Sequence, residues 1–274
     1  MAECGLYFGT EEHMTWLPAP NGEAGASPVA WGTSSAFLNG GATTRRSQVH
    51  HRTYNFGWTL KPYHELAVVL DFYNGRYGEG PFHMVMPGTH ENIMPLYWSM
   101  PRVTIEDGPH MLPGLKPEKV SVETATLGRP TIGTRYTISD PELYTPRTIT
   151  LPVPPGYHLH FGVHGEFTDT ARIQVGTQDI IPLAMDSTAL TNTVISTPGL
   201  YEVSLQGSGE ASIFSMTARL SERDDDAAEH TEFKPGRGTS AVDFIADSVE
   251  VTVSSAVRDF YHGTATLVEV GAWA

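Results

Sequence analysis

Three histidines, His158, His160 and His164, lie close together in YHLHFGVHG, and their first possible chemistry is metal binding. On a strand, side chains two apart leave the same face, so His158 and His160 could share an ion and His164 could join from a following turn. No Asp, Glu or Cys completes the set at a ligand spacing, so a solvated strand face is favoured and no metal is expected. The acidic run Asp224 to Asp226 lacks both the glycine turn and the following bidentate Glu of a calcium loop. Glu142, Glu166 and Asp169 are carboxylates with no readable pairing, so they count as surface acids. There is no GxSxG, HExxH, Walker loop or dinucleotide fingerprint; Gly78-Glu79-Gly80 ends in Pro81 and precedes a strand. No catalytic residue, enzyme activity or cofactor is expected.

The remaining chemistry is that of contact. Arg45, Arg46, His50, His51 and Arg52 make the one basic patch and are candidates for an inter-subunit contact with acidic surfaces, with an exposed turn of scattered charge as the even alternative. All five tryptophans, Trp16, Trp31, Trp58, Trp98 and Trp273, lie outside the middle of the chain. Trp58 belongs on an alternating apolar face and is expected in a core. Trp98, in the proline-bounded run Pro95-Leu96-Tyr97-Trp98-Ser99-Met100-Pro101, has core packing and an interface on an exposed arm as even readings, and Trp98 and Trp273 join the interface candidates. In the middle of the chain, Tyr157, His158, His160 and Tyr201 are candidates for stacking on a glycan.

These residues need strands to carry them. In Arg52 to Leu60, Tyr54, Phe56, Trp58 and Leu60 fall on alternate positions, which predicts a half-buried strand. Asn39-Gly40-Gly41 predicts a turn between Ser35 to Leu38 and Thr43 to Val49. Pro62 suits the first turn of a helix in which Leu66, Val69, Leu70 and Tyr73 share one face, with Gly75 as its left-handed stop. A hinge is expected over Gly75 to Pro81 and a strand through Phe82, Met84 and Met86.

From 105 to 220 the turn spacing predicts an inserted β-sandwich. Its strands are Val120–Thr126, Thr134–Ile138, Thr148–Leu151, Tyr157–His164, Ala171–Val175, Thr193–Ser196, Tyr201–Leu205 and Ser212–Ala218. The acidic stretch 221–227 reads as a linker. Beyond it, alternating Val249, Val251 and Val253 and a closing strand from Ala265 to Trp273 are too little for a core of their own. They are expected to complete an N-terminal domain, giving 1–104 with 228–274 as one unit.

Composition agrees with a mainly β protein of 274 residues: 27 Gly and 20 Pro mark many turns, and 18% charged residues are too few for disorder. A net charge of −14 opposes nucleic-acid binding by phosphate neutralisation. The single cysteine, Cys4, excludes an internal disulfide framework and suits assembly in a reducing cytoplasm. No secretory leader and no apolar run of about 20 residues is present, so no membrane insertion is expected.

Several segments together resemble the distal tail or minor tail proteins of long-tailed phages of actinobacteria. They are LYFGTEEHMTWLPAP, FLNGGATTRRS, HHRTYNFGWTL, DFYNGRYGEGPFHMVMP, NIMPLYWSMP and TLVEVGAW, about half the chain. The resemblance implies a virion protein at the tail tip whose terminal segments form a ring, most often a hexamer. Such a ring joins the tail tube and tape measure proteins to the hub proteins of the tip or baseplate. It also implies a jelly-roll-like outer sandwich similar to carbohydrate-binding modules. Where the family is expected to carry an Asp-Pro pair after the strand, this chain has Met86-Pro87, and the family supplies no catalytic residues. A second expectation makes the sandwich an adhesin for a host cell-wall glycan, against which the lack of tryptophan there counts. The weakest, a wall hydrolase, has no residue to support it.

Overall fold

Side chains that alternate between apolar and polar build sheets with one buried face, and the chain is mainly β in a computed structural model. The structure describes residues 5–21, 25–36, 42–100, 116–121, 132–138, 148–180, 191–222, 233–238, 241–255 and 259–270. The first elements are β1 (Leu6–Gly9), β2 (Met14–Leu17), β3 (Gly25–Ala36), β4 (Ala42–Pro62), α1 (Tyr63–Tyr73), β5 (His83–Val85) and the short α2 (Leu96–Ser99). Then come β6 (Lys116–Ser121), β7 (Ile132–Ile138), β8 (Ile149–Val153), β9 (Tyr157–Phe167), β10 (Arg172–Val175), β11 (Gln178–Ile180), β12 (Thr191–Ile195), β13 (Gly199–Gln206) and β14 (Gly209–Glu222). The last are β15 (Ala241–Phe244), β16 (Glu250–Ser255) and β17 (Phe260–Val270).

The terminal strands share one sheet in the order β15-β17-β4-β3, with β16 also on β17. Its core face carries Tyr54, Phe56 and Trp58, buried as their alternation predicts, and the Trp58 Nε1–H donates to the Pro18 carbonyl at 2.8 Å. Leu60 departs from the pattern. Trp58 pairs with Gly263 and Lys61 with Tyr261, so two β4 residues face His262 alone. That bulge turns Leu60 outward, with φ 55° and 55% exposure.

Helix α1 covers this core through Leu66, Val69 and Phe72. Pro62 caps the helix from an extended conformation rather than entering its first turn, and Phe72 takes the central place expected of Leu70 and Tyr73. The Phe72 ring meets Phe8 edge-on at 5.2 Å and Phe82 at 5.9 Å, a favoured aromatic geometry that fixes the helix rotation. Gly75, at φ 72°, ends the helix. The expected hinge that follows is anchored: Thr10 Oγ1 donates to the Tyr77 carbonyl at 3.0 Å, and the His13 ring stacks on Tyr77 at 4.2 Å.

Two further sheets, β11-β10-β13-β8 and β12-β9-β14-β7-β6, enclose a second core rich in Leu151, Val153, Leu159, Phe161, Val175 and Met216. The strand β11 escaped the sequence pattern because Ile180 is its one buried apolar residue. Strand β14 continues through Ser221 and Glu222, so the first two residues of the expected linker are strand, and 223–227, with Asp224 to Asp226, lie outside the described residues. The small sheet β2-β1-β5 stands between the cores. Leu6, Phe8, Phe82, Met84 and Met86 pack on the terminal side, while Tyr7 and Val85 pack on the sandwich side. Both faces of β5 are therefore apolar and buried, so period-two patterning shows only half of its packing.

Candidate functional site

Residues 87–100 connect β5 to the sandwich, and one asparagine organises them. Asn92 is 1% exposed and uses its whole amide. Its Oδ1 accepts from the Met94 and Ala218 N–H groups at 3.2 and 3.0 Å, and its Nδ2 donates to the Met216 and Lys234 carbonyls at 3.4 and 2.8 Å. One side chain thus ties the connection to β14 and to the returning segment 233–238. That segment runs beside it: the Arg237 N–H donates to the Asn92 carbonyl at 3.0 Å and the Gly238 N–H to the Met94 carbonyl at 3.1 Å. The backbones approach so closely that a Cβ on Gly236 or Gly238 would collide with the Met94 or Ile93 carbonyl oxygen. Ser99 Oγ closes the joint, accepting from the Gly236 N–H and donating to the Leu96 carbonyl.

This joint decides between the two readings of Trp98 in favour of core packing, against the exposed arm. It is 5% exposed, lies in α2 and packs with Ile93 and Met94 into the sandwich core, so it is no exposed arm and cannot meet a neighbouring subunit directly. The proline-bounded run folds as one helical turn whose apolar side chains find β14.

The basic patch sits on a ribbon. Strand β4 pairs with β17 from Thr53 to Pro62, but with β3 from Ala42 to Asn55. Among the described residues, the span 42–52 therefore has β3 on one side and no strand on the other, and β3 is itself an edge strand. The backbone positions of Arg45, Arg46, His50 and His51 fall on this span; their side chains, and the whole of Trp273, lie outside the described residues. Arg52 is half-buried at the ribbon base and donates from Nη1 to the Gly238 carbonyl at 3.4 Å, fastening the ribbon to the joint.

The four glycan candidates do not form a stacking surface. Tyr157 is 5% exposed and packs into the core, beside Trp16 and against the His90 ring at 5.2 Å. Tyr201 is half-buried in the other sheet and donates its hydroxyl to the Thr197 carbonyl at 2.8 Å. His158 and His160 share the outer face of β9 as expected, with ring centroids 6.4 Å apart. Each meets a serine: His158 Nδ1 with Ser196 Oγ and His160 Nε2 with Ser221 Oγ, both at 2.7 Å. His164 is buried beside Phe214, within β9 rather than in a turn. Among the described residues no group of three or more His, Cys, Asp or Glu is placed to hold a metal, and no helix is long and apolar enough to cross a membrane.

A groove of about 530 Å³ opens between the β1–β2 hairpin and the start of β13, lined by Tyr7, Glu11, Met14, Thr150, Pro198, Gly199, Leu200 and Glu202. Burial pushes the Tyr7 phenol up from its ordinary pKa. Burial also holds the His90 imidazole below its ordinary value, with the Glu222 carboxylate pulling in the opposite direction.

Set against known proteins, the chain matches no family model, no curated protein and no solved structure. Its function is therefore argued from the geometry above and from the sequence.

Sequence reasoning missed the joint and the groove for one reason. Asn92, Gly236 and Gly238 meet across more than a hundred residues, and Glu11 and Glu202 come from different sheets. The Pro-Gly-Arg-Gly run was the available signal for the joint, because closely spaced glycines mark close backbone approach.

Proposed function

We propose that the chain is a structural subunit of a phage tail tip, and that its copies close into a ring joining the tail tube to the tip or baseplate proteins. The ribbon of β3 and the outer half of β4 carries this reading. Long unpaired strand edges are a template for association, and a two-stranded ribbon alone is marginally stable in water. Pairing with a neighbouring copy supplies the missing ladder. Among the described residues the two edges without a partner belong to different strands, so a contact from the β3 edge to the β4 edge is heterologous, and it repeats around an axis until the ring closes. The resemblance of the terminal segments to distal tail proteins supports the same reading and suggests six copies, with tape measure and hub proteins as further neighbours. The ribbon also carries Arg45, Arg46 and Arg52 in a chain of net charge −14, so copies attract through that patch.

Hydrogen exchange tests the ribbon directly. Those amides of residues 42–52 that point away from β3 are expected to become protected at protein concentrations where the chain self-associates, and to exchange quickly below them. Fast exchange there in an assembled state would remove the ribbon from the interface.

A further inference from the structure

The groove between the β1–β2 hairpin and the sandwich has the chemistry of a binding site. Glu202 and Thr150 are direct partners across β13 and β8, and they alternate with buried Val203 and Ile149, so they leave the sheet on the side away from its core. Leu200 lies two residues along the same face, with Pro198 beyond it. Glu11, Met14 and Tyr7 face them from the hairpin.

Three features point to a ligand. The Glu11 and Glu202 carboxylates are exposed, and neither forms an ion pair among the described residues. Tyr7 is 94% buried by its 6% exposure, lines the groove, and has no hydrogen-bond partner for its hydroxyl among the described residues. Met14, Pro198 and Leu200 add an apolar wall beside these polar groups.

The occupant follows from what each ligand class needs. Two unneutralised carboxylates repel phosphates and carboxylates and attract a cation. A divalent ion wants six or more oxygen ligands or a set of three strong ones, and no such set exists among the described residues. A neutral sugar would want an open aromatic face, but the Tyr7 ring is buried and tilted against Trp16 at 5.1 Å. A long side chain with a cationic head suits all parts: its aliphatic stem lies on Met14, Pro198 and Leu200, and its N–H donors reach the carboxylates and the phenol.

We propose that this groove receives a lysine or arginine side chain of a polypeptide, held between Glu11 and Glu202. The side chain comes from the Arg45-Arg46 ribbon of a second copy, the basic patch of a chain whose net charge is −14. The site stands whether or not the copies close into a ring.

The test is calorimetric titration of the full chain, at low ionic strength, with acetyl-Gly-Arg-Arg-Gly-amide, its Gln-Gln counterpart and chitotriose. The Arg-Arg peptide is expected to bind and the Gln-Gln peptide and the sugar to give no heat. The double variant Glu11→Gln/Glu202→Gln, at exposed positions and with an unchanged unfolding midpoint, is expected to bind the Arg-Arg peptide at least tenfold more weakly. Absence of Arg-Arg binding, or equal binding by the double variant, overturns the proposal. Chitotriose binding that the double variant loses also overturns it and assigns the groove to a glycan. With peptide binding established, sedimentation of both proteins separates the sources. Weakened self-association in the variant supports the second copy as the source, and unchanged self-association overturns that source and assigns the groove to another protein.

Discussion

Asn92 spends all four hydrogen-bonding capacities of its amide on backbone groups from three separate segments. Removing it takes their side-chain partner from the Met94 and Ala218 N–H groups and from the Met216 carbonyl, and each buried unsatisfied group costs about 1–3 kcal/mol before relaxation. Asn92→Ala should therefore lower stability by about 2–4 kcal/mol in urea unfolding; a loss within about 0.5 kcal/mol, as for an ordinary surface change, would contradict the joint. Trp98→Ala should cost about 3–5 kcal/mol by the same measurement, since it empties a core position. Had Trp98 stood on an exposed arm, the monomer would lose almost nothing. His90 gives a pH dependence. Its folded pKa lies below its ordinary value of about 6.5 because burial disfavours the cation. Below about pH 6.5 the unfolded chain takes up a proton that the folded chain resists, so stability is full above that pH and falls as the pH drops through the window beneath it. His90→Gln should remove that share of the fall in urea midpoint between about pH 8 and pH 5.5, and an unchanged slope would count against it. None of these roles was legible locally. Asn92 and the β14 carbonyl of Met216 are 124 positions apart, and a proline-bounded run looks exposed until the strand that covers it is known.

Among the elements, β4 shows what a pattern can and cannot carry. Alternation of Tyr54, Phe56 and Trp58 predicted its core face, because a strand side chain faces the core or solvent by parity alone. The same parity failed at Leu60, where the register to β17 slips by one residue, and only the partner strand sets that slip. Leu60 consequently holds a left-handed conformation that costs about 1–2 kcal/mol for a residue with a Cβ. Leu60→Gly relieves that strain against a smaller entropy cost, so thermal unfolding should show a gain of about 0.5–1 kcal/mol; a loss would mean that the exposed leucine makes a stabilising contact. Helix α1 was legible in extent and type but not in rotation. Phe8 and Phe82, from β1 and the start of β5, select Phe72 over its neighbours. Sandwich strand β9 was legible for the opposite reason: it is bounded by turn residues and buries the alternate side chains Leu159, Phe161 and Val163, whereas the short β11 has no such alternation.

For the whole molecule, the mainly β class and the pairing of β17 with β4 follow from strand periodicity and from the impossibility of a core in the last strands alone. The small sheet between two cores did not follow, since Tyr7 and Phe8 look alike in sequence yet serve opposite sides. Its consequence is mechanical: the sandwich is braced to the terminal sheet through β5, the Asn92 joint and Arg52, so a force on one reaches the other without crossing a free linker. A ring built on the ribbon would therefore hold its sandwiches in fixed orientation. The central claim, that the ribbon makes copies of this chain into a closed ring, is tested most directly by native mass spectrometry with negative-stain electron microscopy. Two proteins are compared: the full chain, and a chain in which residues 30–49 are replaced by a short Asn-Gly turn. A ring built on the ribbon gives one integer stoichiometry for the full chain and monomers with an unchanged unfolding midpoint for the shortened one. Rings that persist without the ribbon, or a full chain that stays monomeric at every concentration and shows no protected ribbon amides, would contradict it.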